Sequence, residues 1–233
     1  MSSRWIPLES NPDVLNAWAK KAGMASNVEF GDVYGFDDSL LAMVPQPVKA
    51  VVLLFPISKE SEARRTKEDS EIATNGQPEL DPTILWIKQT ISNACGTMGL
   101  IHAIANSDVT VAPMSPLAKF IEQCIDKTPE ERSKLLETTP LFADIHAQAA
   151  SSGQSAVPTN LDTDLHFTCF VAAPSPKGEK RLIELDGRRN GPIDRGACTD
   201  LLKDAAQTIQ NLYVGESQSM QFNVMSLGPR HTD

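Results

Sequence analysis

Apolar residues in this chain form two kinds of run, one continuous and one spaced as on a helix face. Residues 48–55 are aliphatic and β-branched without a polar side, which is typical of a strand buried on both faces. Shorter apolar runs predict three further strands, at residues 166–171, 181–186 and 221–227. Most of the predicted strands therefore lie in the second half of the chain.

Other segments have the three- and four-residue spacing of amphipathic helices. Asn11 and Pro12 predict a helix from residue 12 to about residue 22. Apolar residues recur with helical spacing from 84 to 105, where Asn93 is predicted to cap a helix that begins near residue 94. Further helices are predicted at residues 116–125, at 129–149 with a break at 139–140, and at 199–213.

Two stretches fit neither pattern. Residues 57–82 are strongly polar and predict a solvated excursion, to which no chemistry is assigned. Residues 151–164 hold serines, Gly153 and Pro158 among scattered apolar side chains, which predicts a long loop of the kind that is often functional. The mixture of helices and strands favours an α/β or α+β layered fold over a helix bundle. Because no linker or shift in composition divides the chain, we expect one domain over residues 1–233.

Length and charge narrow the class of partner. The chain has 233 residues and a formal net charge of −9, so nucleic acid and anionic membranes would repel it at long range. A basic partner is favoured, although acidity that serves only solubility is the alternative. The apolar runs are shorter than the ~20 residues that a membrane-spanning helix needs.

The cysteines indicate a reducing compartment. Cys95, Cys124, Cys169 and Cys198 are widely spaced without a CxxC pair, and the first residues lack the apolar run of a secretory leader. A chain of this length also needs no disulfide to stabilise its core. We therefore expect reduced thiols in a cytoplasmic or nuclear protein.

Cys95 has the sequence context of a reactive thiol. It stands at the predicted start of a helix, where the helix dipole and free backbone N–H groups favour the thiolate. Gly96 follows directly and is expected to leave room for a substrate. A cysteine on an apolar helix face is more often a small core residue, so Cys95 alone does not identify a site.

Three other residues can complete such a site. The amide of Gln89 could join the Cys95 backbone N–H in an oxyanion hole, although surface amides are common. Among the four histidines, His166 is the best placed to act as a base because it opens an apolar strand directly after the loop; a structural histidine is the alternative. Asp186 ends the next strand and could orient the imidazole, unless Asp186-Gly187 is only a turn.

These residues belong to a set of motifs that closely resembles the ubiquitin C-terminal hydrolase family. The resemblance runs through nearly the whole chain, and it implies that Cys95 is the nucleophile, His166 the general base, Asp186 the orienting acid and Gln89 the oxyanion-hole glutamine. The motifs that carry it are Arg4-Trp5-Ile6-Pro7-Leu8-Glu9, Gly31-Asp32-Val33-Tyr34-Gly35, Lys88 to Gly99 (KQTISNACGTMG), Leu165-His166-Phe167, Glu184-Leu185-Asp186-Gly187-Arg188 and Phe222-Asn223-Val224-Met225-Ser226-Leu227.

The resemblance also implies a fold and a substrate. The family fold is a papain-like α/β/α sandwich with a central, mostly antiparallel sheet and a knotted backbone. The implied reaction is thiol-dependent hydrolysis of small adducts or short extensions at the C-terminus of ubiquitin, by a monomer, without metal or cofactor. Residues 151–164 correspond to the family's crossover loop, whose shortness should exclude bulky leaving groups. The residues expected to contact ubiquitin and its basic tail are Pro7, Leu8, Glu9, Asp32 and Leu165.

Three alternatives remain at this point. The chain could be a catalytically silent module that retains ubiquitin binding, although the intact set of four catalytic residue types argues against this. It could be a redox sensor that uses Cys95, which would need a second cysteine nearby in space. It could also be a hydrolase that prefers a ubiquitin-like modifier, and the sequence does not decide between that modifier and ubiquitin.

Overall fold

A six-stranded antiparallel sheet forms the centre of the molecule. The computed structural model describes residues 4–154, 160–215 and 221–230. In these ranges the strand order is β1-β6-β2-β3-β4-β5, and each neighbouring pair is antiparallel. The strands are β1 (Val28–Asp32), β2 (Ala50–Pro56), β3 (Leu165–Pro174), β4 (Lys180–Leu185), β5 (Ile193–Ala197) and β6 (Asn223–Pro229).

Helices cover both faces of this sheet. They are α1 (Pro12–Ala22), α2 (Asp38–Leu41), α3 (Lys59–Asn75), α4 (Cys95–Ala105), α5 (Pro116–Cys124), α6 (Pro129–Thr138), α7 (Pro140–Ala150) and α8 (Leu201–Ile209), the last continued by a π-helical turn (Gln210–Val214). None of the helices in the described ranges is long and apolar enough to span a membrane.

Successive side chains of β2 point to opposite faces of the sheet and so contribute to two separate layers of the core. Ala50 and Val52 face a large cluster that contains apolar residues of α1, α4, α5, α6 and α7. Val51, Leu53 and Phe55 face a second cluster with residues of α2 and α8. The predicted layered fold, with a sheet between two layers of helices, is thus confirmed, while the knotted path stays a prediction.

Local sequence signals explain the helices that were predicted correctly. Asn11 accepts a hydrogen bond from the Asp13 backbone N–H, and Gly23 closes α1 with a φ of 113°. Thr128 and Glu131 form a capping box at the start of α6. The predicted break at 139–140 is present, because Pro140 begins a separate helix, α7.

The prediction of helical structure throughout 84–105 was wrong in its first half. The segment before α4 is not helical, and its backbone is bonded instead to the side chains of His102 in α4 and of Asn106, the C-cap residue of that helix. The Leu85 N–H donates to Asn106 Oδ1 at 2.7 Å, and the Ile87 N–H donates to His102 Nε2 at 3.0 Å. Asn93 is not the cap either, since Ala94 occupies that position and Asn93 has a φ of 64°.

The segment 57–82, predicted as a solvated excursion, is largely exposed, but it contains a helix that was not predicted. Residues 59–75 form α3, which begins with a capping box between Ser58 and Ser61. The face of α3 that contacts the rest of the protein carries charged side chains. The sequence therefore lacks the apolar periodicity that would have predicted this helix. Strands β1 and β5 and the short helix α2 were missed as well.

Candidate active site

Cys95 is the first residue of α4 and lies at the surface end of a buried helix. Only 9% of the residue is exposed. Ala94 at the N-cap position has no side chain that could bond the amides of the first turn. These amides and the helix dipole therefore act on the Cys95 thiol and favour its ionised form.

Gly96 serves packing, which corrects the expectation that it makes room for a substrate. A Cβ atom at this position would lie 2.9 Å from Leu8 Cδ1 and 3.0 Å from Leu8 Cβ, so a larger residue would displace the Leu8 side chain that packs on the catalytic turn. Leu8 itself is 5% exposed. It was expected to contact ubiquitin, but it supports the turn from inside and offers little surface to a partner.

His166 and Asp186 form a buried pair next to Cys95. His166 lies on β3 opposite Phe55 of β2, and Asp186 follows the last residue of β4. His166 Nε2 is 2.6 Å from Asp186 Oδ1, and both side chains are almost fully buried. Since Nε2 is bonded to Asp186, the other ring nitrogen, Nδ1, is the one that is available to the Cys95 thiol, whose pKa the ring lowers.

A backbone N–H group holds the Asp186 carboxylate in position, and an indole N–H group holds the Asp186 backbone. The Arg188 backbone N–H donates to Asp186 Oδ1 at 2.8 Å. Trp86 Nε1–H donates to the Asp186 carbonyl oxygen at 3.0 Å. Asp186 and Gly187 therefore do form a turn. This turn fixes the carboxylate that pairs with His166, so the turn and the catalytic interpretation of Asp186 are compatible.

The electrostatics favour a thiolate–imidazolium pair at neutral pH. Burial raises the pKa of the Cys95 thiol, but the hydrogen bond and the charge of His166 outweigh burial and leave the pKa lowered. Burial also opposes the charge of His166, yet Asp186 and Cys95 raise the pKa of the imidazole to about 10. Burial opposes the charge of Asp186 as well, but His166 and Arg188 lower the pKa of this carboxyl group. Both shifts favour a proton on His166 and a negative charge on Cys95.

Gln89 lies beside this pair through the turn after β4. Its backbone N–H donates to the Gly187 carbonyl oxygen at 2.8 Å, and a Cβ on Gly187 would lie 3.0 Å from Gln89 Cβ. Its side-chain Nε2 donates to the Ile91 carbonyl oxygen at 3.3 Å. Nε2 has a second hydrogen, which remains for an oxyanion. Oε1 is buried and has no hydrogen-bond partner among the residues that the structure describes.

The other two described histidines have structural surroundings. The ring of His102 bonds the Ile87 N–H and lies 3.3 Å from the Leu185 carbonyl oxygen, and burial lowers its pKa to about 4. Burial likewise lowers the pKa of His146 to about 4. Both rings are neutral at pH 7. His231 lies outside the described residues.

A charged layer behind Asp186 was not found from the sequence. Arg188 reaches Glu62 of α3 at 2.8 Å, and Arg189 reaches Glu68 and Asp69 at 2.7 Å. Glu184, which is fully buried on β4, pairs with Arg195 at 2.6 Å. No local motif signals such a layer, because its members come from α3, β4, β5 and the turn between these two strands.

The remaining candidate contacts lie at the edge of the site. Pro7, Glu9, Asp32 and Leu165 are half-buried. Glu9 lies close to Gly153, where a larger side chain would collide with its carboxylate. Asn223 connects Asp32 with the segment that contains Glu9, because its side chain bonds Ser10 at 2.7 Å and lies 3.5 Å from Asp32.

One cleft of the described residues lies away from this site. It has a volume of about 630 Å³, lies at the other end of β2 and β3, near Lys49 and Pro174, and contains none of the four candidate catalytic residues. In the described ranges there is no cluster of three His, Cys, Asp or Glu residues suited to a metal ion. Of the predicted crossover loop, residues 155–159 lie outside the described part of the chain.

Comparisons with known proteins agree with this geometry. The chain matches the family "Ubiquitin carboxyl-terminal hydrolase, family 1" over residues 5–213. It is 42% identical to ubiquitin carboxyl-terminal hydrolase 3 of Arabidopsis thaliana over 234 residues, covering 98% of this chain and 96% of the relative. It is 35% identical to ubiquitin carboxyl-terminal hydrolase isozyme L1 of Homo sapiens over 225 residues, covering 95% and 96%.

A solved structure shows the same fold. The catalytic domain of Trichinella spiralis UCH37, bound to ubiquitin vinyl methyl ester, superposes with a TM-score of 0.74 at 20% sequence identity. The superposition covers 98% of this chain and 97% of that chain. At this level of identity the likeness concerns the arrangement of the sheet and its helices.

Proposed function

Because the chain belongs to family 1 of the ubiquitin carboxyl-terminal hydrolases, a family of cysteine peptidases, we propose that it hydrolyses bonds at the C-terminal glycine of ubiquitin. The observation that carries this proposal is the buried array of Cys95, His166 and Asp186, in which the His166–Asp186 distance is 2.6 Å. Its substrates are ubiquitin molecules that carry a small adduct or a short peptide at this glycine.

Acylation uses the charges that the site already holds. The Cys95 thiolate attacks the carbonyl carbon of the terminal glycine, and the oxyanion that forms accepts hydrogen bonds from the Cys95 backbone N–H and Gln89 Nε2. His166 then gives its Nδ1 proton to the leaving amine as the C–N bond breaks. A thioester between Cys95 and ubiquitin remains.

Deacylation restores the starting state. A water molecule gives a proton to His166 Nδ1 and attacks the thioester carbonyl, and the C–S bond breaks to release free ubiquitin. Asp186 keeps the ring oriented through Nε2 and stabilises the imidazolium in both steps. The pair of charges on Cys95 and His166 is then re-formed.

The charge of the molecule suits a basic tail. The formal net charge is −9, and Glu9 and Asp32 are brought to one side of the molecule through Ser10 and Asn223. In this proposal Pro7 and Leu165 provide apolar contact, and the segment 151–164 limits the size of the leaving group. The enzyme acts as a monomer in the cytoplasm or nucleus.

Single-turnover hydrolysis of a panel of C-terminal amides tests the proposal. The acyl groups are ubiquitin and ubiquitin-like modifiers, each carrying the same small fluorogenic amine. We expect release of the amine from the ubiquitin amide through a thioester on Cys95. Faster acylation by another modifier would reassign the substrate, and no release of the amine from any acyl group would contradict the proposed activity.

A further inference from the structure

One side-chain amide joins three distant segments beside the nucleophile. Asn93 lies two positions before Cys95, and its Nδ2 donates to the carbonyl oxygens of Trp5 and Leu161, both at 2.9 Å. These acceptors are 88 and 68 residues away in sequence. One group thus binds the N-terminal segment and the segment before β3 to the turn that precedes the catalytic helix.

Further contacts join the same three segments. The Trp5 N–H donates to the Ser92 carbonyl oxygen at 3.0 Å, so the turn holds Trp5 by both of its backbone groups. The Arg4 guanidinium pairs with the Asp162 carboxylate, which links the two outer segments to each other directly. Each of the three segments is therefore bonded to both of the others.

His146 secures the N-terminal segment at its next residue. Its Nε2–H donates to the Ile6 carbonyl oxygen at 2.5 Å, which leaves Nδ1 as the acceptor for the Thr97 hydroxyl at 2.9 Å. Thr97 belongs to the first turn of α4. The N-terminal segment is thus attached to the catalytic helix on both sides of Cys95.

Asparagine satisfies two requirements at position 93. The two carbonyl oxygens need two N–H donors from one short side chain, which a carboxamide provides and a carboxylate does not. The backbone has a φ of 64°, a conformation that glycine and asparagine adopt more readily than other residues. Glycine would meet the second requirement and fail the first, so the two can be separated by experiment.

We propose that Asn93 is a positioning residue that holds residues 4–9 and 160–165 at a fixed separation on either side of Cys95, so that the substrate tail enters a preformed channel. The identity of that substrate rests on the proposed function. Asn93 touches neither reacting atoms nor the His166–Asp186 pair in this account. Its loss should therefore weaken substrate binding and leave the nucleophile intact.

Asn93→Gly tests the proposal, with Met114→Gly as the matched control. Met114 is the other non-glycine residue with positive φ in the described part of the chain, at 63°, and it is 74% exposed. Both variants relieve the same backbone strain, but only Asn93→Gly removes the two bonds. Losing two neutral hydrogen bonds should speed hydrogen exchange about tenfold in peptides covering 4–9 and 160–165, and Met114→Gly should leave it unchanged.

Kinetics separate positioning from a merely structural role. For a ubiquitin C-terminal amide, Asn93→Gly should raise KM about tenfold with little change in kcat. The pH dependence of Cys95 alkylation by iodoacetamide should match that of the parent. Exchange rates and a KM equal to those of Met114→Gly would overturn the proposal. A shifted pH dependence of Cys95 alkylation would overturn it as well, because Asn93 would then determine the conformation of the turn that carries the nucleophile. If the parent hydrolyses no ubiquitin amide, the proposed function fails and the exchange comparison still decides the role of Asn93.

Discussion

The two helices that flank the catalytic residues are held to the protein by opposite means. Helix α4 carries Cys95, and all of its eleven residues except the last are buried, most of them apolar. Helix α3 backs Asp186, and among its 17 residues only Asp69 is buried. The nucleophile is thus fixed by packing against β2 and β3, whereas the orienting acid is supported by charge.

The charged side gives orientation more than stability. Buried ion pairs lose much of their Coulomb energy to desolvation, so Glu68, Glu184 and their arginines add little net free energy of unfolding. These ion pairs nevertheless favour one arrangement of their side chains, because an arginine that loses its carboxylate partner is left as an uncompensated buried charge. We infer that the packed side determines whether the domain folds and that the charged side determines how Asp186 faces His166.

Asp186→Asn should have the largest effect on activity. Without the carboxylate charge, burial lowers the pKa of His166 from about 10, so the imidazolium is lost at lower pH. We expect kcat to fall by about 10⁴-fold and the alkaline limb of kcat/KM to move toward neutral pH. A variant with full specific activity but a lower melting temperature would show that Asp186 is structural.

Leu100→Ala in α4 should have the largest effect on folding. Leu100 is fully buried, so truncation leaves a cavity and should cost about 2–5 kcal/mol of unfolding free energy, measured in urea. Per folded molecule, the kcat should stay near that of the parent. A loss below 1 kcal/mol would mean that packing does not hold α4 in place.

Gln89→Ala probes the segment that leads into α4. Removing one oxyanion donor typically costs about 2.7–4 kcal/mol, since the Cys95 backbone N–H would remain. Rapid-quench measurement of acylation should show this loss with unchanged ubiquitin affinity. If affinity fell and acylation did not, Gln89 would position the substrate instead of stabilising the oxyanion.

Glu68→Gln and Glu71→Gln compare a docked and a solvent-exposed charge on α3. Glu68 contacts Arg189 and Arg195, whereas Glu71 is exposed and pairs loosely with Lys67 at 3.8 Å. We expect Glu68→Gln to cost about 1–3 kcal/mol of unfolding free energy and Glu71→Gln under about 0.5 kcal/mol. Equal urea midpoints for the two variants would refute charge-based docking of α3.

The same contrast explains what the sequence could reveal. Helix α4 and strands β2, β3, β4 and β6 were predictable because burial leaves a continuous or periodic apolar pattern, and Cys95 and His166 stood at element boundaries. Helix α3 has no apolar stripe, and its partner Arg188 lies 126 residues from Glu62, so only the folded chain shows the pairing. The packing of Leu8 on Gly96 was hidden for the same reason, since contact between distant segments has no local signature.

The central claim is that Cys95 is ionised by His166 and is the nucleophile. Burial raises the pKa of Cys124 and of Cys198 to about 11 and also raises that of Cys169, so these three should be unreactive thiols at neutral pH. The direct measurement is labelling with ubiquitin that carries a C-terminal electrophile, followed by peptide mapping, at pH 6 and 8. We predict one adduct, on Cys95, at both pH values, whereas an adduct on another cysteine or labelling that needs pH above 8 would contradict the account.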